Sequence, residues 1–185
     1  MTDFVTSDIH FGHNNIMSFC PMSRPFADVD HMHEVIVEKW NRTIQPGDRT
    51  YILGDVAFCN AQEAVKLIKR LNGTKVLIKG NHDSKIVKDP SFQKCFESIY
   101  EYHTISINKI RVVMFHYPIA EWDQMHRGAV HLFGHLHGNP TGLGLEKYRC
   151  MDVGMDTNYC VPYKLEDAVN ECLKRPIRAH HQKGE

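Results

Sequence analysis

Short apolar runs, each closed by a cluster of polar residues, set the rhythm of the chain. Residues 2–7 read as a buried first strand leading into Asp8-Ile9-His10. Runs at 49–53 and 75–79 repeat the pattern and end in Gly54-Asp55 and Gly80-Asn81-His82-Asp83. Between them the period becomes helical. Met32, Val35, Ile36, Lys39 and Trp40 recur at helical spacing, predicting a helix from an N-cap at Asp28 to about Ile44, where Pro46-Gly47 stops it. A short helix is expected at 14–20, a loop at 21–27, and another helix at 61–71, closed by Asn72-Gly73. Strand and helix alternating in this way imply parallel pairing with right-handed crossovers.

Beyond Pro90 the pattern is richer in strands. Residues 97–107 and 109–115 read as an antiparallel hairpin around Asn108, and the second strand leads into His116. A strand at 129–133 leads into Gly134-His135-Leu136-His137. A Gly- and Pro-rich loop at 138–144, a strand at 148–153 and a last helix at 165–174 complete the chain. Helices on both sides of a strand-rich middle predict an α/β fold of two packed mixed sheets with helices outside. No repeat, low-complexity tract or linker divides the chain. One domain is expected over 1–175, with a basic, frayed tail over 176–185.

Composition narrows the picture. The 185 residues suit one domain, and 22 basic and 22 acidic residues cancel, so no global field advertises a nucleic acid or a membrane. No apolar run approaches the ~18 residues of a membrane span, and no leader pattern opens the chain; a cytoplasmic location is expected. Six scattered cysteines with no C-x-x-C pair argue for reduced thiols rather than a disulfide framework or zinc finger. Thirteen histidines are the anomaly, and several fall in the polar clusters.

Asp8, His10, Asp55, Asn81, His116, His135 and His137 all follow strand-like runs. In open α/β sheets, ligands collect at the carboxyl ends of strands. These residues offer carboxylate, imidazole and amide donors without a thiolate, a set suited to Mn, Fe, Zn, Co or Ni. Seven ligands are too many for one tetrahedral ion and suit two ions ~3.5–4 Å apart sharing a carboxylate.

In order and kind, Asp8-x-His10, Gly54-Asp55, Gly80-Asn81-His82-Asp83, His116 and Gly134-His135-x-His137 resemble the motifs of calcineurin-like metallophosphoesterases, in particular the small, stand-alone prokaryotic and phage-type members. The resemblance implies a four-layer α/β/β/α sandwich and a dinuclear, metal-dependent phosphohydrolase. It implies one divalent ion on Asp8, His10, Asp55 and His137 and a second on Asp55, Asn81, His116 and His135, with Asp55 bridging. Manganese is the first candidate, with Fe, Zn, Ni or Co behind it. Water between two dications loses its proton readily. The expected reaction is therefore in-line attack of a bridging hydroxide on phosphorus, with His82 protonating the departing alkoxide. Asp83 is expected to accept from the other ring nitrogen of His82 and fix its tautomer.

Loops 11–26 and 117–127 are expected to form the rim. His13, Asn14 and Arg24 are candidate substrate contacts, Arg24 as a fork on a phosphate oxygen, and Trp122 and Arg127 lie on the second loop. Val56-Ala57-Phe58 stands where protein phosphatases carry a second Asp and Arg-Gly. That difference and the lack of a capping insertion favour small or flexible phosphoesters, cleaved as diesters. A nuclease or a phosphomonoesterase on the same site is the alternative, and a non-catalytic metal-binding scaffold is a third reading. Gly142-Leu143-Gly144 lacks the rest of a nucleotide fingerprint, and Asp156 and Asn158 receive no role.

Overall fold

The first half of the chain winds as the alternating pattern requires. The computed structural model describes residues 1–179. In it β1 (Asp3–Thr6), β2 (Arg49–Ile52) and β3 (Thr74–Ile78) lie side by side and parallel. The single-turn α1 (Ile16–Phe19) and α2 (Val29–Thr43) connect the first pair, and α3 (Ala61–Ile68) the second. Asp28 caps α2 by accepting the His31 N–H at 2.7 Å. Successive strand residues face opposite sides. Phe4, Ile52 and Leu77 belong to the cluster that holds Met32, Ile36, Trp40 and Ala64 of the helices, whereas Val5, Tyr51 and Ile78 face the second sheet. Both faces are buried, which is why these strands read as continuous apolar runs.

The second sheet contains β5 (His103–Ile107), β6 (Ile110–Met114), β7 (Val130–Phe133) and β8 (Cys150–Asp152), in that order. The expected hairpin is present, turning through Asn108 and Lys109, both left-handed. The expected strand 97–107 is divided. β4 (Ser98–Tyr100) joins the first sheet with Tyr100 opposite Ile78, and β5 starts the second with His103 opposite Met114. Neither glycine nor proline marks the crossing at Glu101-Tyr102, so the apolar pattern runs through it.

Two further elements had no signal. α4 (Pro90–Gln93) is capped by Asp89, and β9 (Tyr163–Lys164) pairs antiparallel with β1. α5 (Leu165–Leu173) contributes Leu165, Ala168, Val169 and Cys172 to the cluster between the sheets. The outer face of the second sheet is covered by loop 117–128 and the 3₁₀ turns 125–127 and 145–147, with Trp122, Met125 and Leu145 against Val113 and Phe133. The fold is thus two mixed sheets flanked by helices. All six cysteines are free, and no helix among the described residues is long and apolar enough to cross a membrane. In the C-terminal segment Arg178 donates to the Ala120 carbonyl at 3.0 Å and lies over the Tyr148 ring. The rest of the basic tail, 180–185, lies outside the described residues.

His131 stands out in β7. It is fully buried, and burial pushes its pKa down to about 4. Its Nε2 accepts the Ile119 N–H at 3.1 Å while Nδ1 lies 3.2 Å from the Val113 carbonyl. The unfolded chain protonates this ring near the ordinary value of about 6.5, the folded chain only near 4. Stability is therefore lost as pH falls through that window, by about 3 kcal/mol in full. In urea titrations between pH 7 and 4.5, His131→Asn should lose less stability than wild type; parallel losses would contradict this.

Candidate metal centre

The parallel strands end on one rim. Ser7 at the end of β1 bridges to Gly154 beyond β8, so the carboxyl edges of the two sheets meet. The polar clusters then turn sharply. Asp8, His10, Asp55, His135 and His137 have φ between 52° and 71°, in the left-handed region that non-glycine residues rarely occupy. Strain of this kind, on the order of 1–3 kcal/mol per residue, persists where the surroundings enforce it, and it concentrates at functional sites. The motif glycines permit the crowding. A Cβ at Gly80 would collide with Asp55 Oδ1, and one at Gly134 with Ser7 Oγ.

The two carboxylates are held alike. Asp8 Oδ2 accepts the His135 N–H at 2.8 Å, and Asp55 Oδ1 accepts the His82 N–H at 3.0 Å. Each keeps its other oxygen for the site. Three imidazoles follow a similar rule. Nδ1 of His10 meets His13 Nδ1 at 2.9 Å, that of His116 meets the Leu53 carbonyl at 2.7 Å, and that of His137 meets Asp156 Oδ2 at 2.7 Å. The carbonyl and the carboxylate can only accept, so they fix the Nδ1–H tautomer of His116 and His137 and leave Nε2 for a ligand; His10 Nε2 is left likewise when its Nδ1 donates to His13.

Of three clusters of potential metal ligands among the described residues, two are triads built from the predicted set: Asp8, His10 and His137, and Asp55, His116 and His135. In each, one potential ligand atom per residue lies within 4.8 Å of the others. Asp55 Oδ2 stands between them, 4.0 Å from His10 Nε2 and 3.6 Å from His116 Nε2. Asn81 Oδ1 lies 2.8 Å from His116 Nε2.

The residues fit divalent cations. Asp8 Oδ1 and His10 Nε2 are buried without a hydrogen-bond partner, 3.7 Å apart. Unpaired buried polar atoms are costly, and a shared cation would satisfy both. When His116 donates Nδ1–H to Leu53, its Nε2 lone pair faces the Asn81 oxygen, two acceptors that a cation would also reconcile. Burial lowers the pKa of His10 and of His135, which favours the neutral form a metal ligand needs. For His137 burial also acts downward, but the Asp156 hydrogen bond and the Asp8 charge outweigh it and the net shift is upward.

The family model for calcineurin-like phosphoesterases matches residues 2–139. The chain belongs to that family. It is a metal-dependent phosphoesterase, a hydrolase acting on ester bonds. An uncharacterized protein of Methanocaldococcus jannaschii is 30% identical over 138 residues, 74% of this chain and 69% of that relative. The crystal structure of a protein of unknown function from Aquifex aeolicus is similar throughout, with a TM-score of 0.72 at 27% identity, covering 92% of this chain and 98% of that one.

Three expectations about this phosphoesterase change. Asp83 is fully buried and accepts the N–H groups of Asp55, Val56 and Gly80 at 2.8–3.0 Å, so both oxygens are occupied by backbone rather than by the His82 ring. It ties the Gly54-Asp55 turn to the Gly80-Asn81 turn. Asp83→Ala should leave three buried N–H groups unpaired and lower the stability of the metal-free protein by about 3 kcal/mol or more in urea titration; an unchanged midpoint would contradict this.

Arg24 is also buried, not a surface fork for phosphate. It holds Asp156 through Nε and one terminal nitrogen, both at 2.9 Å, and donates to the carbonyls of Asp8 and Ile9. Burial would raise the Asp156 pKa, but His137 and Arg24 outweigh it and hold the carboxylate low. Asp156, given no role by the sequence, is the residue that links Arg24 to His137. Trp122 is buried and donates to the Ala129 carbonyl, while Asn14 and Arg127 are exposed. His13 borders the site, its pKa pushed down to about 4 by burial with His10 and His82 adjacent. His82 is half exposed, its Nε2 3.9 Å from Asp55 Oδ2.

Proposed function

We propose that this phosphoesterase hydrolyses phosphodiesters with two divalent ions, manganese foremost, that share Asp55. The observation that carries the reading is the position of Asp55 Oδ2 between His10 Nε2 and His116 Nε2. Asp8, His10 and His137 would hold one ion and Asn81, His116 and His135 the other. When bound, such a pair activates water near neutral pH and offsets the charge on the phosphoryl oxygens. The protein's own residues do the rest. Backbone N–H groups of His82 and His135 fix the carboxylates, Nδ1 contacts fix the imidazoles, and His82 carries a proton to the departing oxygen.

Charge supports a diester over a monoester. A cavity of about 410 Å³ reaches His10, His82 and His137, and its lining includes neither lysine nor arginine. A singly charged diester suits such a wall better than a dianionic monoester or a polyanionic strand. With manganese-loaded protein, bis-p-nitrophenyl phosphate should turn over faster than p-nitrophenyl phosphate or labelled single-stranded DNA. Preference for the monoester or for DNA would overturn the diester assignment, and no turnover with any divalent metal would leave a binding scaffold.

A further inference from the structure

The wall of the same cavity is aromatic, and it lies on one side of the metal centre only. The lining includes His10 and His137 of the first triad and His82, but none of Asp55, Asn81, His116 or His135. Phe58 is its centre. The Phe58 ring stacks on His13 with centroids 4.0 Å apart and planes 10° apart, and leans on His82 at 4.5 Å. Phe19 meets the His13 ring edge-on at 6.0 Å and leaves 69% of its surface exposed, and Ile16 closes the base. The shelf is fixed from behind: the Phe58 N–H donates to the Phe11 carbonyl at 2.7 Å, and Phe11 bridges to Ala57, so the two loops pair like strands.

Phe19 extends the stacked pair outward, giving a contiguous aromatic face on which a planar ring can stack. Position says what. The shelf touches His82, the residue that serves the departing oxygen, and runs outward from it. We propose that His13, Phe19 and Phe58 form a subsite for an uncharged aromatic or heteroaromatic ring carried by the leaving group. The substrate class is then small aryl or nucleoside phosphodiesters rather than alkyl ones. The phosphate end of this assignment rests on the phosphodiester reading; the ring end does not. The volume is compatible, since about 410 Å³ lies at the lower end of small-molecule sites, roughly 300–1,000 Å³.

Calorimetric titration of manganese-loaded protein with adenosine 5′-monophosphate and with ribose 5-phosphate compares two ligands that differ by the base. Wild type should bind the nucleotide about 10-fold or more tightly, the size of one stacking contact. Phe19→Ala should remove most of that preference, and Phe58→Leu should do the same if Phe19 is replaced at little cost by its neighbours. Equal binding by wild type, no binding of the nucleotide, or a preference intact in both variants would overturn the subsite. Turnover of bis-p-nitrophenyl phosphate is read separately. Hydrolysis without base preference removes the shelf and keeps the chemistry; base preference without hydrolysis does the reverse.

Discussion

His82→Ala should lower turnover of a diester with a poor, alkyl leaving group by about 10²–10⁴-fold, the range that general acid catalysis contributes. The same variant should lose far less on bis-p-nitrophenyl phosphate, whose nitrophenolate departs without needing a proton. The contrast between substrates is the informative quantity. His82 holds Asp55 through its backbone N–H, a contact that alanine retains, so metal content should not change. Its ring is half exposed and points toward Asp55 Oδ2 at 3.9 Å, where a departing oxygen can reach it. Equal losses on both substrates would remove His82 from proton transfer, and loss of metal would make it a structural residue.

Asp156→Ala should weaken metal binding by about 10–100-fold, the usual cost of removing the partner that orients a ligating histidine. It should also destabilise the metal-free protein by about 3–5 kcal/mol, because the buried Arg24 guanidinium would lose its counter-charge. Asp156→Asn separates the two effects. It retains an oxygen for His137 Nδ1–H and removes the charge opposite Arg24. Metal affinity near wild type with reduced stability is the expected result for asparagine. Unchanged metal affinity in Asp156→Ala, measured by calorimetry, would show that His137 is oriented without Asp156.

The candidate centre was largely legible because its donor residues follow the chain's clearest signals. An apolar run of strand length closed by a donor residue, in three of five cases after a glycine, marks a strand end, and the Ser7–Gly154 bridge brings the two sheets' edges together. Asp156 lacked that signal. It lies on the one-turn 3₁₀ segment Met155–Thr157, which follows the Ser7–Gly154 bridge. Arg24 and Asp83 were visible as charged residues, but burial decides what a charge does, and neither has an apolar periodic neighbourhood that announces burial. The divided strand at 97–107 shows the same gap between pattern and placement. Alternation records that residues are extended; it does not record which sheet they join.

Electron paramagnetic resonance of protein titrated with Mn(II), combined with metal analysis, tests the shared carboxylate most directly. Two ions per chain with the spectrum of a spin-coupled pair are expected, and Asp55→Asn should abolish the coupled signal. A single ion, or two ions with independent spectra in the wild-type protein, would contradict a centre built around Asp55.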